Sequence, residues 1–151
     1  MLIVRFGLGE RAFGIRAREV REILPLVRVR PSPGVPDWVA GELLLGGSPV
    51  PVIDLRRWLD GVPSREDLAT RLLLLDWKGA GGSGPVAFIV ERVRETVDVP
   101  AGAISRRTAG APDERVLGGS FVQDGTIVQL LDPRALVTTE LGAVLYPVRV
   151  A

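Results

Sequence analysis

The stretch that decides the fold is Ser48–Leu59, "SPVPVIDLRRWL", in which an apolar run ends on Asp-Leu-Arg. A second stretch, Thr126–Leu136, "TIVQLLDPRAL", ends its apolar run on Asp-Pro-Arg. A glycine lies seven residues before each aspartate, Gly47 before Asp54 and Gly125 before Asp132. Each unit therefore has the pattern of a turn, a buried strand and then Asp-x-Arg.

The Asp-x-Arg pattern is one internal repeat, or echo, and a second echo precedes each of its two copies. Ala12–Ile23 begins with "AFGI" and ends with "VREI", and Ala87–Thr96 begins with "AFIV" and ends with "VRET". Because both echoes recur in the same order, we predict two related β units in tandem, each too small to be robust alone. The predicted units are 1–60 and 75–137, within a single domain of 1–138 that leaves a C-terminal tail at 139–151.

Short apolar runs separated by turn residues predict an all-β fold with short helices, built as small barrels rather than a βαβ sheet. The clearest hairpins are Val39–Leu55, with Gly-Gly at its turn, and Val116–Asp132, with Asp-Gly suited to a type I′ turn. The spacing also predicts about two turns of helix over Arg16–Leu24, a strand over Leu26–Arg30 and a flexible loop over Lys78–Gly84.

The composition argues against catalysis. The 151 residues include no His and no Cys, which excludes a Ser-His-Asp triad, a Cys nucleophile and the common zinc sites within this chain. We therefore predict that the protein is not an enzyme and has no cofactor or metal. A net charge of +1 and 5% aromatic residues disfavour nucleic-acid binding. No apolar run approaches the roughly 20 residues that a membrane-spanning helix needs, so we predict no direct membrane insertion.

The Asp-x-Arg residues are interpreted as structural. A carboxylate that lies just past a strand end can accept backbone N–H groups and cap the turn that follows. Asp54 and Asp132 fit that role, and we assign Arg56 and Arg134 to the same structural units.

Four stretches resemble the CheW-type chemotaxis coupling domain: "FGLGERAFGIRAREVREIL", "PGVPDWVAGELLLGGSPVPVIDLRRWL", "AFIVERVRETVDVP" and "GGSFVQDGTIVQLLDPRAL". The resemblance covers roughly Leu2–Val137 in the family's order. It implies two intertwined five-stranded SH3-like barrels. It also implies a non-catalytic adaptor that couples chemoreceptors, through their cytoplasmic tips, to the regulatory domain of a CheA-type histidine kinase. The implied location is cytoplasmic, at receptor arrays on the inner face of the membrane.

The resemblance also implies a set of partner-binding residues. They are Val20, Glu22, Ile23, Gly41, Gly46, Gly47, Val93 and Thr96. The family usually has an arginine where this chain has Gly46, and we expect that arginine to interact with the acid that corresponds to Glu22. Glu22 is therefore predicted either to lack this partner or to turn to another arginine.

Other interpretations of the same residues stay open. Val20 and Ile23 also fit the buried face of a short helix, and Gly41 with the Gly46–Gly47 pair also fits a purely backbone role. The whole chain also fits a divergent relative that serves a non-flagellar chemosensory system, or a small β-barrel that binds a ligand or nucleic acid. A salt titration of single-stranded DNA binding discriminates the last alternative, because nucleic-acid affinity falls steeply with salt.

Overall fold

The computed structural model describes residues 1–79, 82–106 and 118–133 of the chain, and strands dominate them. In chain order these strands are β1 (Leu2–Leu8), β2 (Arg11–Arg16), β3 (Glu22–Pro25), β4 (Val39–Leu45), β5 (Ser48–Asp54), β6 (Arg71–Gly79), β7 (Gly82–Val90), β8 (Thr96–Asp98), β9 (Ser120–Gln123) and β10 (Thr126–Leu130). A short helix, α1, spans Leu55–Asp60. Two single 3₁₀ turns lie at Ala17–Glu19 and Ala101–Ala103.

The strands form two five-stranded sheets. Barrel 1 has the order β8-β1-β2-β10-β9, and barrel 2 has the order β3-β6-β7-β5-β4. Each sheet curls until a single bridge reaches its last strand, Ser105 to Ser120 in barrel 1 and Arg30 to Glu42 in barrel 2. These bridges partly cover the edges that an open sheet would expose. The predicted fold class, two five-stranded SH3-like barrels, is confirmed.

The two sequence echoes lie in equivalent places, one in each barrel. β2 runs parallel to β10 with Ala12 opposite Val128, and β7 runs parallel to β5 with Ala87 opposite Val52. In barrel 1 the first-unit strand β2 therefore pairs with a second-unit strand, and in barrel 2 the second-unit strand β7 pairs with a first-unit strand. The barrels intertwine because each one takes its parallel pair from both units.

A large apolar cluster lies between the barrels and draws residues from both. Phe6 and Phe13 of barrel 1 meet Leu73, Leu75 and Phe88 of barrel 2 in this shared core. The intervening leucines of β6 point the other way, into the interior of barrel 2. The unbroken "LLLL" of β6 thus follows from burial on both faces of the strand.

The hairpin predictions are confirmed. Asp124 and Gly125 have φ angles of 50° and 73°, the positive pair that a type I′ turn requires. Gly46 and Gly47, between β4 and β5, have φ angles of 57° and 83°. Both turns therefore have the twist that suits a tight two-residue connection.

Two predictions near the first echo were wrong. Arg16–Leu24 is not a two-turn helix, because a single 3₁₀ turn leads into β3, whose residues pair with β6. So short a helix is marginal alone, and pairing with β6 satisfies more backbone groups. Leu26–Arg30 is not a regular strand, and only Arg30 forms a bridge. Prolines at positions 25 and 31 flank this segment and lack the N–H that a ladder needs.

The predicted loop over Lys78–Gly84 was also wrong for most of its length. β6 and β7 continue their pairing through Lys78 with Ser83 and Gly79 with Gly82, and residues 80 and 81 lie outside the described part of the chain. The structural assignment of Arg134 and the tail at 139–151 lie outside the described residues.

Candidate partner-binding surface

The carboxylate of Asp54 joins the end of β5 to the start of α1. It accepts a hydrogen bond from the backbone N–H of Arg57 at 3.3 Å, and it also accepts from the backbone N–H and the hydroxyl of Ser64, at 3.0 and 2.6 Å. The helix ends at Gly61, which has a φ of 72°. Asp54 thus anchors both the first turn of α1 and the loop that follows it, which is a structural task.

A buried carboxylate, Glu91, lies where the two barrels meet. Its oxygens accept hydrogen bonds from the backbone N–H of Gly9 at 2.7 Å, from the backbone N–H of Arg65 at 2.6 Å and from Nη1 of Arg56 at 2.9 Å. The backbones of Gly7 and Glu91 also pair, with N–O distances of 2.7 and 3.0 Å. Glu91 therefore connects the β1–β2 turn of barrel 1 to the end of β7 in barrel 2.

The surroundings of Glu91 favour its ionised form. Burial raises the pKa of this carboxyl, but the backbone amides of Arg65 and Gly9 and the guanidinium of Arg56 outweigh that effect and hold the pKa below its ordinary value. Sequence reasoning did not identify Glu91. The signal was present, because Glu91 directly follows an apolar strand, as Asp54 does at the end of β5.

Two of the predicted partner-binding residues lie partly inside the molecule. Val20 and Val93 both pack against the shared core, and each is half-buried. The backbone N–H of Val93 also donates to the carbonyl of Ala69 at 3.0 Å. Neither valine is the exposed side chain that a simple docking patch would present.

Glu22 and Ile23, by contrast, form an exposed step on β3. Ile23 is 42% exposed, and Glu22 forms no ion pair with any residue in the described part of the chain. Beside this step, Arg21 and Asp76 form an exposed ion pair at 3.5 Å. An exposed apolar side chain beside a carboxylate without an ion pair matches the apolar centre and polar rim of a contact surface.

The three glycines of the hairpin differ in what their backbone requires. Gly41 has a φ of 140°, and a Cβ there would come within 1.9 Å of the carbonyl oxygen of Arg30. Gly41 is therefore buried beneath a neighbouring backbone, and its conformation explains the glycine. Gly46 and Gly47 are exposed at the hairpin tip with nothing near their Cβ positions.

The structure shows no direct contact between Glu22 and the hairpin tip. Glu22 lies on β3 and Gly46 directly follows β4, and these strands are the first and last in the strand order of barrel 2, which the Arg30–Glu42 bridge partly closes. Among the described residues, no hydrogen bond or ion pair joins Glu22 to the Gly46–Gly47 turn. Thr96 is exposed on β8 of barrel 1, opposite Val4. Asp132 is partly buried just after β10.

Comparison with known proteins places these features in a family context. The sequence profile of the CheW-like domain matches residues 2–141. The fold is similar to the crystal structure of the scaffolding protein TtCheW from Thermoanaerobacter tengcongensis, with a TM-score of 0.79 and 23% sequence identity, over 91% of this chain and 87% of that chain. No curated protein matches the sequence. Within the described ranges, no helix is long and apolar enough to cross a membrane.

Proposed function

This chain belongs to the CheW-like domain family, and from that membership we propose that it is a non-catalytic adaptor that couples chemoreceptors to a CheA-type histidine kinase. The observation that carries the proposal is the family match, which runs through both barrels from residue 2 to residue 141. The proposed partners are the regulatory domain of the kinase and the cytoplasmic tip of the receptor. The proposed location is the cytoplasmic face of a receptor array.

We place the partner contact on the Glu22–Ile23 step of β3 and on the Gly46–Gly47 tip. Burying the exposed part of Ile23 against a partner would contribute about 1 kcal/mol. Glu22 offers a partner arginine or lysine a carboxylate that no described residue occupies. Val20 and Val93 are left out of the direct contact, because both are half-buried against the shared core.

The proposal is tested by binding measurements on the full chain with the cognate kinase regulatory domain and a receptor tip peptide. Ile23→Asp should weaken kinase binding by about tenfold or more, because association would bury an unpaired charge. Ile127→Asp is the matched control, since Ile127 is a 59% exposed isoleucine on β10 of barrel 1, whereas Ile23 lies in barrel 2. Thermal melts by circular dichroism show whether both variants stay folded.

The possible results test the adaptor role and the proposed contact surface separately. A wild-type chain that binds neither kinase nor receptor overturns the adaptor role. A folded Ile23→Asp variant that binds both partners at wild-type strength overturns the contact surface but leaves the role intact.

One difference from the usual family sequence favours a variant of the proposed adaptor role. Gly46, which is part of the proposed contact, stands where the family usually has an arginine, so the contact lacks the positive charge and the hydrogen-bond donors of a guanidinium. A divergent adaptor in a non-flagellar chemosensory system fits this departure. Binding to the cognate kinase, with none to the kinase of a standard flagellar system, would support that form.

A further inference from the structure

On the side of β4 that faces away from β5, part of the backbone forms no hydrogen bonds with the described residues. Pro49 and Pro51 of β5 lie opposite Leu44 and Glu42, and proline has no N–H to donate. The hydrogen bonds between β4 and β5 therefore run through the alternate pairs, including Leu43 with Val50. The backbone groups of Glu42 and Leu44 point to the opposite side of β4.

On that side, Glu42 has a partner and Leu44 has none among the described residues. Glu42 exchanges two backbone hydrogen bonds with Arg30, both of 2.8 Å. Continuing the same antiparallel register would place Arg28 opposite Leu44, but no such pairing forms. The two segments diverge after the Arg30–Glu42 bridge and leave a cleft beside the last residues of β4.

The walls of this cleft are apolar. Leu44 is 77% exposed and Val27 is 45% exposed, although both are large apolar side chains. Pro49 lies beside Leu44 on the neighbouring strand and also lines the cleft. Exposed apolar side chains around an unpaired strand edge promote aggregation of a free protein. They are also a common feature of sites that bind another protein.

The rim of the cleft is predominantly positively charged. Arg28 and Arg30 line it, both are exposed, and neither forms an ion pair with another described residue. The one carboxylate in the lining, that of Glu42, accepts a hydrogen bond from the hydroxyl of Ser32 at 3.3 Å. The cleft is therefore suited to a ligand that brings carboxylates as well as apolar side chains.

We propose that the cleft binds an extended acidic and apolar segment of a protein partner, which adds as a short strand beside β4 at Leu44. In an added strand, side chains alternate between two faces. One face would place apolar groups against Val27 and Leu43, and the other would place carboxylates beside Arg28 and Arg30. This inference does not depend on the adaptor role, because it follows from the edge, the apolar walls and the two arginines.

The test uses defined peptides and the isotope-labelled full chain in nuclear magnetic resonance titrations. The probe is the capped hexapeptide Val-Glu-Val-Glu-Val-Glu. One control replaces each glutamate with lysine, and a second is N-methylated at every residue, so that neither edge of the peptide has an N–H donor and the methyl groups obstruct strand pairing on both edges. The glutamate peptide should give saturable shifts confined to 27–31 and 42–49. At saturation it should slow hydrogen exchange at the Leu44 amide by about tenfold or more, because that amide gains a strand partner.

The controls separate strand addition from other binding. The lysine peptide should bind about tenfold more weakly or not at all, and the N-methylated peptide should not protect Leu44. The double variant Arg28→Glu, Arg30→Glu should reverse the preference between the glutamate and lysine peptides. If the double variant does not fold, the single variant Arg28→Glu should reduce the preference.

Several results would overturn the inference. They are the absence of localised shifts at millimolar glutamate peptide, equal binding of the glutamate and lysine peptides, and shifts without protection of the Leu44 amide. A fourth is protection of Leu44 that grows with protein concentration in the absence of peptide. That result would identify a second copy of this chain as the occupant instead of an acidic partner segment.

Discussion

The guanidinium of Arg56 and the carboxylate of Glu91 meet at 2.9 Å, at the junction of the two barrels. Arg56 belongs to the Asp-Leu-Arg that follows β5, and the aspartate of the same tripeptide caps α1. The first Asp-x-Arg of the sequence therefore has a structural explanation. Its aspartate starts the helix, and its arginine holds the buried acid that links barrel 1 to barrel 2.

Replacing Glu91 with glutamine should destabilise the whole domain. Glu91 is 1% exposed, and glutamine keeps its shape while removing the charge that balances Arg56. Its amide group would also point hydrogens at a donor. We expect a loss of about 3 kcal/mol in the free energy of unfolding, measured by urea denaturation. The control Glu95→Gln, at an exposed position without an ion pair among the described residues, should change stability by less than about 0.5 kcal/mol. Equal stability of the two variants would contradict the role of Glu91.

The same carboxylate predicts a specific dependence on acid. Because the pKa of Glu91 is lower in the folded protein than its ordinary value of 4.5, the unfolded chain takes up the proton first as pH falls. The stability that this group contributes is complete above about pH 4.5, and it is lost as pH falls through the lower folded pKa. The difference in unfolding free energy between wild type and Glu91→Gln should therefore shrink below pH 4.5. A difference that stays constant from pH 7 to pH 3 would show that the charge of Glu91 is not responsible.

The sequence predicts the barrels, the hairpins and the family, because these depend on local patterns. Alternating apolar runs, the Asp-Gly and Gly-Gly turns and the two echoes are all visible within short windows. It does not predict the path of Leu26–Arg30 or the half-burial of Val93, and it leaves open whether Val20 is buried or exposed. Those features depend on which segment meets which across the fold, as when β3 pairs with β6 instead of forming a helix. The pairing of Glu91 with Arg56 is equally long-range, although the acid after an apolar strand was a local clue.

Gly41 should tolerate no side chain. Its φ of 140° is rare for other residues, and a Cβ would collide with the backbone oxygen of Arg30 at 1.9 Å. Gly41→Ala should therefore cost more than about 4 kcal/mol and disrupt the Arg30–Glu42 bridge. The matched control is Gly34→Ala, where φ is 76° but nothing lies within 4 Å, and this change should cost about 1 kcal/mol. Similar melting temperatures for the two variants would contradict the close approach of Arg30.

Charged substitutions at Val20 and Val93 should lower the stability of the fold, in addition to any effect on partner binding. Both valines pack against the shared core, so Val20→Asp and Val93→Asp would place a carboxylate beside apolar groups. We expect each to lower the free energy of unfolding by about 2 kcal/mol, whereas the exposed Leu68→Asp should have little effect. Chemical denaturation of the three variants measures this. Wild-type stability for Val20→Asp and Val93→Asp would restore these valines as candidates for direct partner contact.

Restoring an arginine at position 46 tests whether Glu22 has lost a partner. Gly46 has a φ of 57° and open space around its Cβ position, so Gly46→Arg should fold with a cost of about 1 kcal/mol from the left-handed backbone alone. Gly46→Asn is the matched control for the backbone, because asparagine tolerates this conformation better and adds no charge.

We expect Gly46→Arg, but not Gly46→Asn, to tighten binding to the receptor and kinase of a standard flagellar system. The structure gives no direct contact between Glu22 and this turn, so a double-mutant cycle with Glu22→Gln is needed to assign the effect. If the introduced arginine acts through Glu22, the gain should disappear in the Glu22→Gln background, with a coupling free energy of about 1 kcal/mol in binding. A gain of the same size in both backgrounds would mean that the arginine contacts the partner by itself. No gain in either background would mean that position 46 does not control this binding.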